Sequence, residues 1–235
     1  MPYRRLPNTD TARIKAMRIA LEKGKEIPPH KLAFSSKTLV RLQNNLPKFE
    51  LNIKLYRQSL ASQNKKNKDY NDILKKAKIY LTHFIRVMNM AVVRGDLPLE
   101  TRVYYGLEIN ESTVPSLNTE NELLSYGRRV IDGEEFRIRK CGNPINNPTI
   151  AIVKVRFENF VEALNYHTAL VKKTFDYSEK NNLLRKEADE IIFHLWNEIE
   201  ATNIGQAEEI RKNLNEDYGL VYFYRKSELK SDAAS

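Results

Sequence analysis

Apolar residues recur along this chain at alternating intervals of three and four. Leu39, Leu42, Leu46, Phe49, Ile53, Tyr56 and Leu60 keep that spacing, and Leu74, Ala77, Leu81, Phe84, Met88 and Ala91 resume it. Such spacing lines side chains along one stripe of an α-helix, the seam on which helices pack in bundles and coiled coils. Sliding the chain against itself by 111 residues matches this pattern to a second one: Ile150, Val153, Phe157, Phe160, Leu164, His167 and Val171, then Ala188, Ile192, Leu195 and Ile199. Six identities fall on the same offset without a gap: Thr38/Thr149, Phe49/Phe160, Asn71/Asn182, Lys75/Lys186, Ala77/Ala188 and His83/His194. A self-match at a fixed offset marks an internal repeat, here residues 38–92 and 149–203. Tyr104-Tyr-Gly-Leu107 and Asp217-Tyr-Gly-Leu220 echo one another at an offset two residues longer.

Each copy reads as two helical segments that meet at a polar stretch, residues 62–69 and residues 172–178. The expected fold is all-α. It is a four-helix bundle of two duplicated antiparallel helical hairpins related by a pseudo-twofold axis, with accessory helices and a short extended C-terminal segment. All of it forms one helical domain over residues 1–235, with a connector and accessory helix at 95–148 and a C-terminal extension at 204–235. A different reading keeps the phase. Neither polar stretch holds Gly or Pro, and residues 60–74 are two whole heptads, so each copy is then one helix of more than fifty residues. Asn67, Thr174, Ser178 and Arg185 would lie on its seam, which argues against it.

Local signals place the remaining elements. Thr9 or Asp10 caps a helix through about Glu22 that Gly24 ends, and Ser35 or Ser36 caps the next one after the extended Pro28-Pro29 link. Pro47 removes a backbone donor, so it kinks that helix or delays its start. Asn118 or Thr119 starts a helix toward Lys140, and a short helix falls near 205–214. Leu220-Val-Tyr-Phe-Tyr224 is β-prone without an obvious second strand, and it reads as an extended tail on the bundle. Residues 229–235 read as disordered.

Composition narrows the class. Of 235 residues, 41% are hydrophobic, enough for a core, and the mean hydropathy of −0.57 is too low for a membrane protein. No apolar run approaches the ~20 residues of a membrane span, and no apolar stretch follows the N-terminus to suggest a secretory signal. The reading is therefore a cytoplasmic protein. Eight glycines argue against glycine-rich nucleotide folds, and the single cysteine, Cys141, excludes an intramolecular disulfide.

Charge changes the picture more. Residues 1–117 carry 22 Lys and Arg against 10 Asp and Glu; residues 118–235 carry 17 against 20. The two copies thus share an apolar plan and differ in charge. Basic groups concentrate at the N-terminus and at Lys65, Lys66, Lys68, Lys75, Lys76 and Lys78. That pattern fits a polyanionic or acidic partner, with Tyr3, Tyr56 and Tyr70 interleaved as stacking groups for bases. Solvated helix faces are the more ordinary source of such a basic excess. There is no zinc-finger spacing, no aromatic strand pair and no glycine-containing helix-turn-helix.

Catalytic chemistry has little support. A di-iron bundle needs Glu three residues before each ligand His, and His83 and His194 lack it. Those two histidines occupy equivalent positions, yet two imidazoles make an incomplete metal shell; a ligand pocket lined by both is a third reading. No phosphate loop, nucleophile elbow or His-Glu-x-x-His is present. No cofactor and no enzymatic role is expected.

Four segments bear on family: Pro2-Tyr-Arg-Arg-Leu-Pro-Asn-Thr-Asp-Thr-Ala-Arg13, Leu46-Pro-Lys-Phe49, Asn147-Pro-Thr149 with Val153-Lys-Val155, and Tyr218-Gly-Leu-Val-Tyr-Phe-Tyr-Arg-Lys226. Through them nearly the whole chain resembles an uncharacterised family of bacterial, Bacteroidota-type proteins, which implies a bacterial cytoplasmic protein and no activity. The expected function is a non-enzymatic binding or scaffold protein. It captures an acidic protein partner, or a second copy of itself, electrostatically through Arg4, Arg5, Arg13, Lys65, Lys66 and Lys68. Sequence-independent binding of RNA or DNA is the alternative. Neither a membrane nor a small-molecule substrate is implied.

Overall fold

The computed structural model describes residues 3–224. In chain order they form strand β1 (Tyr3–Arg4), helix α1 (Asp10–Glu26), a 3-10 turn (Pro29–Lys31), helix α2 (Ser36–Val93), a 3-10 helix (Leu99–Tyr105), helix α3 (Glu120–Arg139), helix α4 (Ile150–Thr202), helix α5 (Glu208–Glu216) and strand β2 (Tyr222–Phe223). The fold is all-α. The β-prone C-terminal run finds its second strand at the N-terminus: β1 and β2 pair antiparallel, Tyr3 with Phe223 and Arg4 with Tyr222. The segment expected to be disordered, 229–235, lies outside the described residues.

The two hairpins expected from the repeat do not form, and the four-helix bundle goes with them. Residues 62–69 lie inside α2 and residues 172–178 inside α4, helices of 58 and 53 residues. The chain turns at neither stretch, because nothing there breaks a helix and the polar seam residues find partners. Ser59 Oγ meets Thr174 Oγ1 at 2.8 Å, His167 Nε2 meets Asn67 Oδ1 at 3.0 Å, and Arg185 grips both oxygens of Asp10 at 2.7 Å. Buried polar groups are tolerated when paired. Pro47 sits inside α2 without delaying its start. Thr9 caps α1, and Ser35 accepts from the Thr38 N–H ahead of α2. Thr119 and Glu122 form a reciprocal capping box on α3.

Two compact units divide the chain: Met1–Ser59 with Thr174–Ser235, and Leu60–Lys173. Each therefore combines part of residues 38–92 with part of residues 149–203. The first unit buries Met17 and Ala20 of α1, Leu42, Leu46 and Phe49 of α2, and Ile191, Leu195 and Trp196 of α4, with Tyr218 edge-on to Phe34. The second buries Leu81, Phe84 and Met88 of α2, Leu123 and Val130 of α3, and Val153 and Phe160 of α4. Positions matched at the 111-residue offset share burial. Leu42/Val153, Phe49/Phe160, Ala77/Ala188, Leu81/Ile192, Phe84/Leu195 and Met88/Ile199 are each at most 2% exposed. The Tyr-Gly-Leu echo also takes one shape twice. Gly106 and Gly219 have φ of +66° and +90°, a conformation glycine adopts without strain, and the next N–H bonds back to Arg102 O or Asn215 O.

One buried ionic knot holds the second unit's loop. Glu134 is fully buried and accepts from Arg137 Nε (2.8 Å), Arg137 Nη2 (2.9 Å), Tyr105 Oη (2.6 Å) and the Ile145 N–H (2.9 Å). Arg137 also donates to Asn143 O at 2.7 Å, so the knot ties α3 to the 3-10 helix and to residues 143–145. Burial alone would raise the Glu134 pKa, but these donors outweigh it and hold the carboxyl below its ordinary value. Beside it, Gly133 lets α3 approach the 3-10 helix; a Cβ there would lie 2.1 Å from Tyr104 O.

Candidate partner-binding face

The fold uses up part of the predicted basic site. Arg4 donates to Glu200 at 2.8 Å and to Asn197 at 2.6 Å, and its guanidinium lies 5.4 Å from the Phe193 ring centre. Arg13 is bidentate on Asp189 at 2.7 and 2.9 Å. Both belong to the first unit and bind α4, so neither is available to a partner. Arg5 lies 5.3 Å from the Phe223 ring centre and has no carboxylate partner among the described residues. Lys65, Lys66 and Lys68 belong to the second unit and are exposed, with Lys66 3.3 Å from Asp69. The six residues thus divide between the units, three in each. Tyr70, expected as a stacking group for bases, is 6% exposed; it stacks on His167 at 4.3 Å and hydrogen-bonds Glu120. Burial and that carboxylate push its pKa up. His83 and His194 are both exposed and belong to different units, and no metal-binding cluster exists among the described residues.

What remains open is the outer face of α2 in the second unit. The core stripe runs through Ala77, Leu81, Phe84 and Met88; a second stripe of the same three-four spacing runs through Lys76, Ile79, His83, Arg86, Met90 and Val93. All six are exposed, with Ile79, Met90 and Val93 at 52%, 56% and 74%. From Lys76 to Val93 this face is about 25 Å long at ~1.5 Å per residue. Lys75, Lys76 and Arg86 have no ionic partner among the described residues. At the 111-residue offset the second copy carries Glu187, Glu190, His194 and Asn197 instead, and that face is in use: Glu190 is 3.7 Å from Arg41, and Arg4 covers Phe193, Asn197 and Glu200. The positions matching the Arg4 footprint are Thr82, Arg86 and Asn89.

A cavity of about 400 Å³ opens between α2 and α4 of this unit, lined by Lys66, Lys76, Arg156, Glu162, Tyr166 and His167 among others. Arg156 faces the Tyr80 ring at 5.4 Å, and its Nε is buried with no hydrogen-bond acceptor. Tyr166 is 55% exposed. Lys66 and Lys76 were legible as part of a basic cluster. Arg156 carried no sequence signal, because its isolation depends on which helix packs opposite it. Among the described residues no helix is long and apolar enough to cross a membrane. Compared with known proteins, the chain matches no family model, no curated protein and no solved structure.

Proposed function

We propose that this is a non-enzymatic binding protein whose second unit takes an acidic segment of a protein partner on the open face of α2. A duplicated helical plan with inverted charge underlies it: one copy's acidic face is occupied by the chain's own Arg4, and the other's basic face is left for a carboxylate-bearing segment. The observation that carries this reading is the open face on which exposed Ile79 lies among Lys75, Lys76 and Arg86, none of which has an ionic partner among the described residues. Carboxylates satisfy the cations, and an apolar side chain covers Ile79. A phosphate backbone satisfies only the first demand, which favours protein over nucleic acid.

The test titrates the full chain with a labelled amphipathic peptide bearing Glu and Leu at helical spacing, and with labelled single-stranded RNA, each at two salt concentrations. Binding of the peptide should weaken at least about tenfold in Lys76→Glu/Arg86→Glu and in Ile79→Asp, since reversed charge and a buried unpaired carboxylate both oppose docking. RNA binding that collapses with salt and ignores Ile79→Asp would transfer the site to nucleic acid. Binding of neither probe rejects the face.

A further inference from the structure

A separate cavity lies in the first unit, bounded by residues 5–8, α1, Trp196 of α4 and the segment 216–223; its volume is about 450 Å³. We propose that it binds a small carboxylic acid with an apolar body. The size is that of ordinary small-molecule sites, which run roughly 300–1,000 Å³. Leu6, Pro7, Ile19, Leu220 and Phe223 give it apolar walls.

Two features of the lining bear on what the cavity takes and how its occupancy is read. Trp196 is 1% exposed, and its Nε1–H is buried with no acceptor. A buried indole N–H ordinarily has a partner; Trp196 also borders the cavity, so its surroundings change when a ligand fills that space. Arg5 and Lys15 also line the cavity, both exposed and without a carboxylate partner among the described residues. The Arg5 guanidinium is held over Phe223, itself a wall residue. The one carboxylate in the lining, Glu216, is 3.9 Å from Lys212. Cationic groups at an apolar pocket select an anion with a hydrophobic body, and a carboxylate matches a guanidinium fork. A neutral ligand of the same body leaves both cations unused.

Trp196 is the chain's single tryptophan and borders this cavity, so its emission responds to a ligand bound there. The experiment titrates the full-length chain with decanoate and, separately, with decanol while following that emission. Decanoate should give a saturable change with an affinity at least about tenfold tighter than decanol, the increment expected of charge-assisted hydrogen bonds. Arg5→Met/Lys15→Met should abolish that preference while leaving decanol binding in place; among the described residues neither side chain makes a hydrogen bond. Ala12→Phe, which fills the cavity from α1, should remove the response to both. No saturable change, equal affinity for the two probes, or a response that survives Ala12→Phe overturns the proposal.

Discussion

Replacing Asn45 by leucine should stabilise the protein, and replacing Asn52, one heptad away, should destabilise it. Both asparagines are buried on the α2 seam of the first unit, at 1% and 2% exposure. Asn52 Nδ2 donates to Asn181 Oδ1 at 2.7 Å and to Tyr177 O at 3.0 Å; one heptad further on, Ser59 meets Thr174. That register is antiparallel, so stepping seven residues from Asn52 and from Asn181 sets Asn45 across from Ala188. Alanine offers nothing to an amide, and both Asn45 Nδ2 and Oδ1 are without partners. An unsatisfied buried polar group costs about 1–3 kcal/mol, and an apolar replacement of similar shape removes that cost. Asn45→Leu should therefore gain about 1–3 kcal/mol. Asn52→Leu should lose a similar amount by leaving the buried Asn181 amide oxygen without its donor, and Asn52→Leu/Asn181→Leu should recover much of it. In urea, with slopes of roughly 1–3 kcal/mol per molar, an effect of about 2 kcal/mol moves the midpoint by about 1 M. Trp196 emission follows the unit in which all these residues lie. If Asn45→Leu destabilises as much as Asn52→Leu, Asn45 has a partner in solution and the seam argument fails.

Glu134→Ala should cost about 3–5 kcal/mol, because it strands the buried Arg137 charge, and Glu134→Leu/Arg137→Leu should cost less than the single change by the same denaturation assay. Gly133→Ala should destabilise by about 1–3 kcal/mol, since its Cβ meets backbone rather than a movable side chain, whereas Gly205→Ala, with nothing within 4 Å, should be near neutral. Asp10, held below the ordinary carboxylate range by hydrogen bonds from Arg185, and Glu134 are both depressed in the folded state. Their contribution is fully present above the unfolded carboxylate pKa values of about 4 and is lost as pH falls through the folded ones. Melting temperature should therefore drop below about pH 4, and less steeply in Asp10→Asn. Asp189→Asn should cost about 1 kcal/mol, because Arg13 loses one charged acceptor.

The apolar periodicity made the all-α class legible, and side-chain chemistry narrowed three caps to pairs, Thr9 or Asp10, Ser35 or Ser36 and Asn118 or Thr119, of which the fold uses Thr9, Ser35 and Thr119. Helix continuity through residues 62–69 and 172–178 was not. A polar seam residue reads as a break until its partner is known, and the partners of Ser59, Asn67 and Arg185 lie at least a hundred residues away. The second strand for Tyr222–Phe223 was missed for the same reason, because a two-residue pair depends on the approach of the opposite terminus. At the candidate face, Lys66, Lys75 and Lys76 were visible as charge. Ile79 and Arg156 matter only because the fold leaves one uncovered and the other unpaired.

The charge asymmetry shows how topology decides what composition means. Along the chain the N-terminal half is basic and the C-terminal half slightly acidic, which suggested one basic side. The first unit draws on both halves, and there Arg4, Arg13 and Arg41 meet Glu200, Asp189 and Glu190 of α4. Much of the sequence imbalance is thus consumed inside one unit. In the second unit α2 packs its apolar stripe inward, and Lys75, Lys76 and Arg86 are exposed without a carboxylate partner among the described residues. A linear charge excess becomes a binding surface only where the fold does not supply its own counter-charge. By that criterion Arg4 and Arg13 serve the fold, and the unpaired cations of α2 are where an outside carboxylate has something to satisfy.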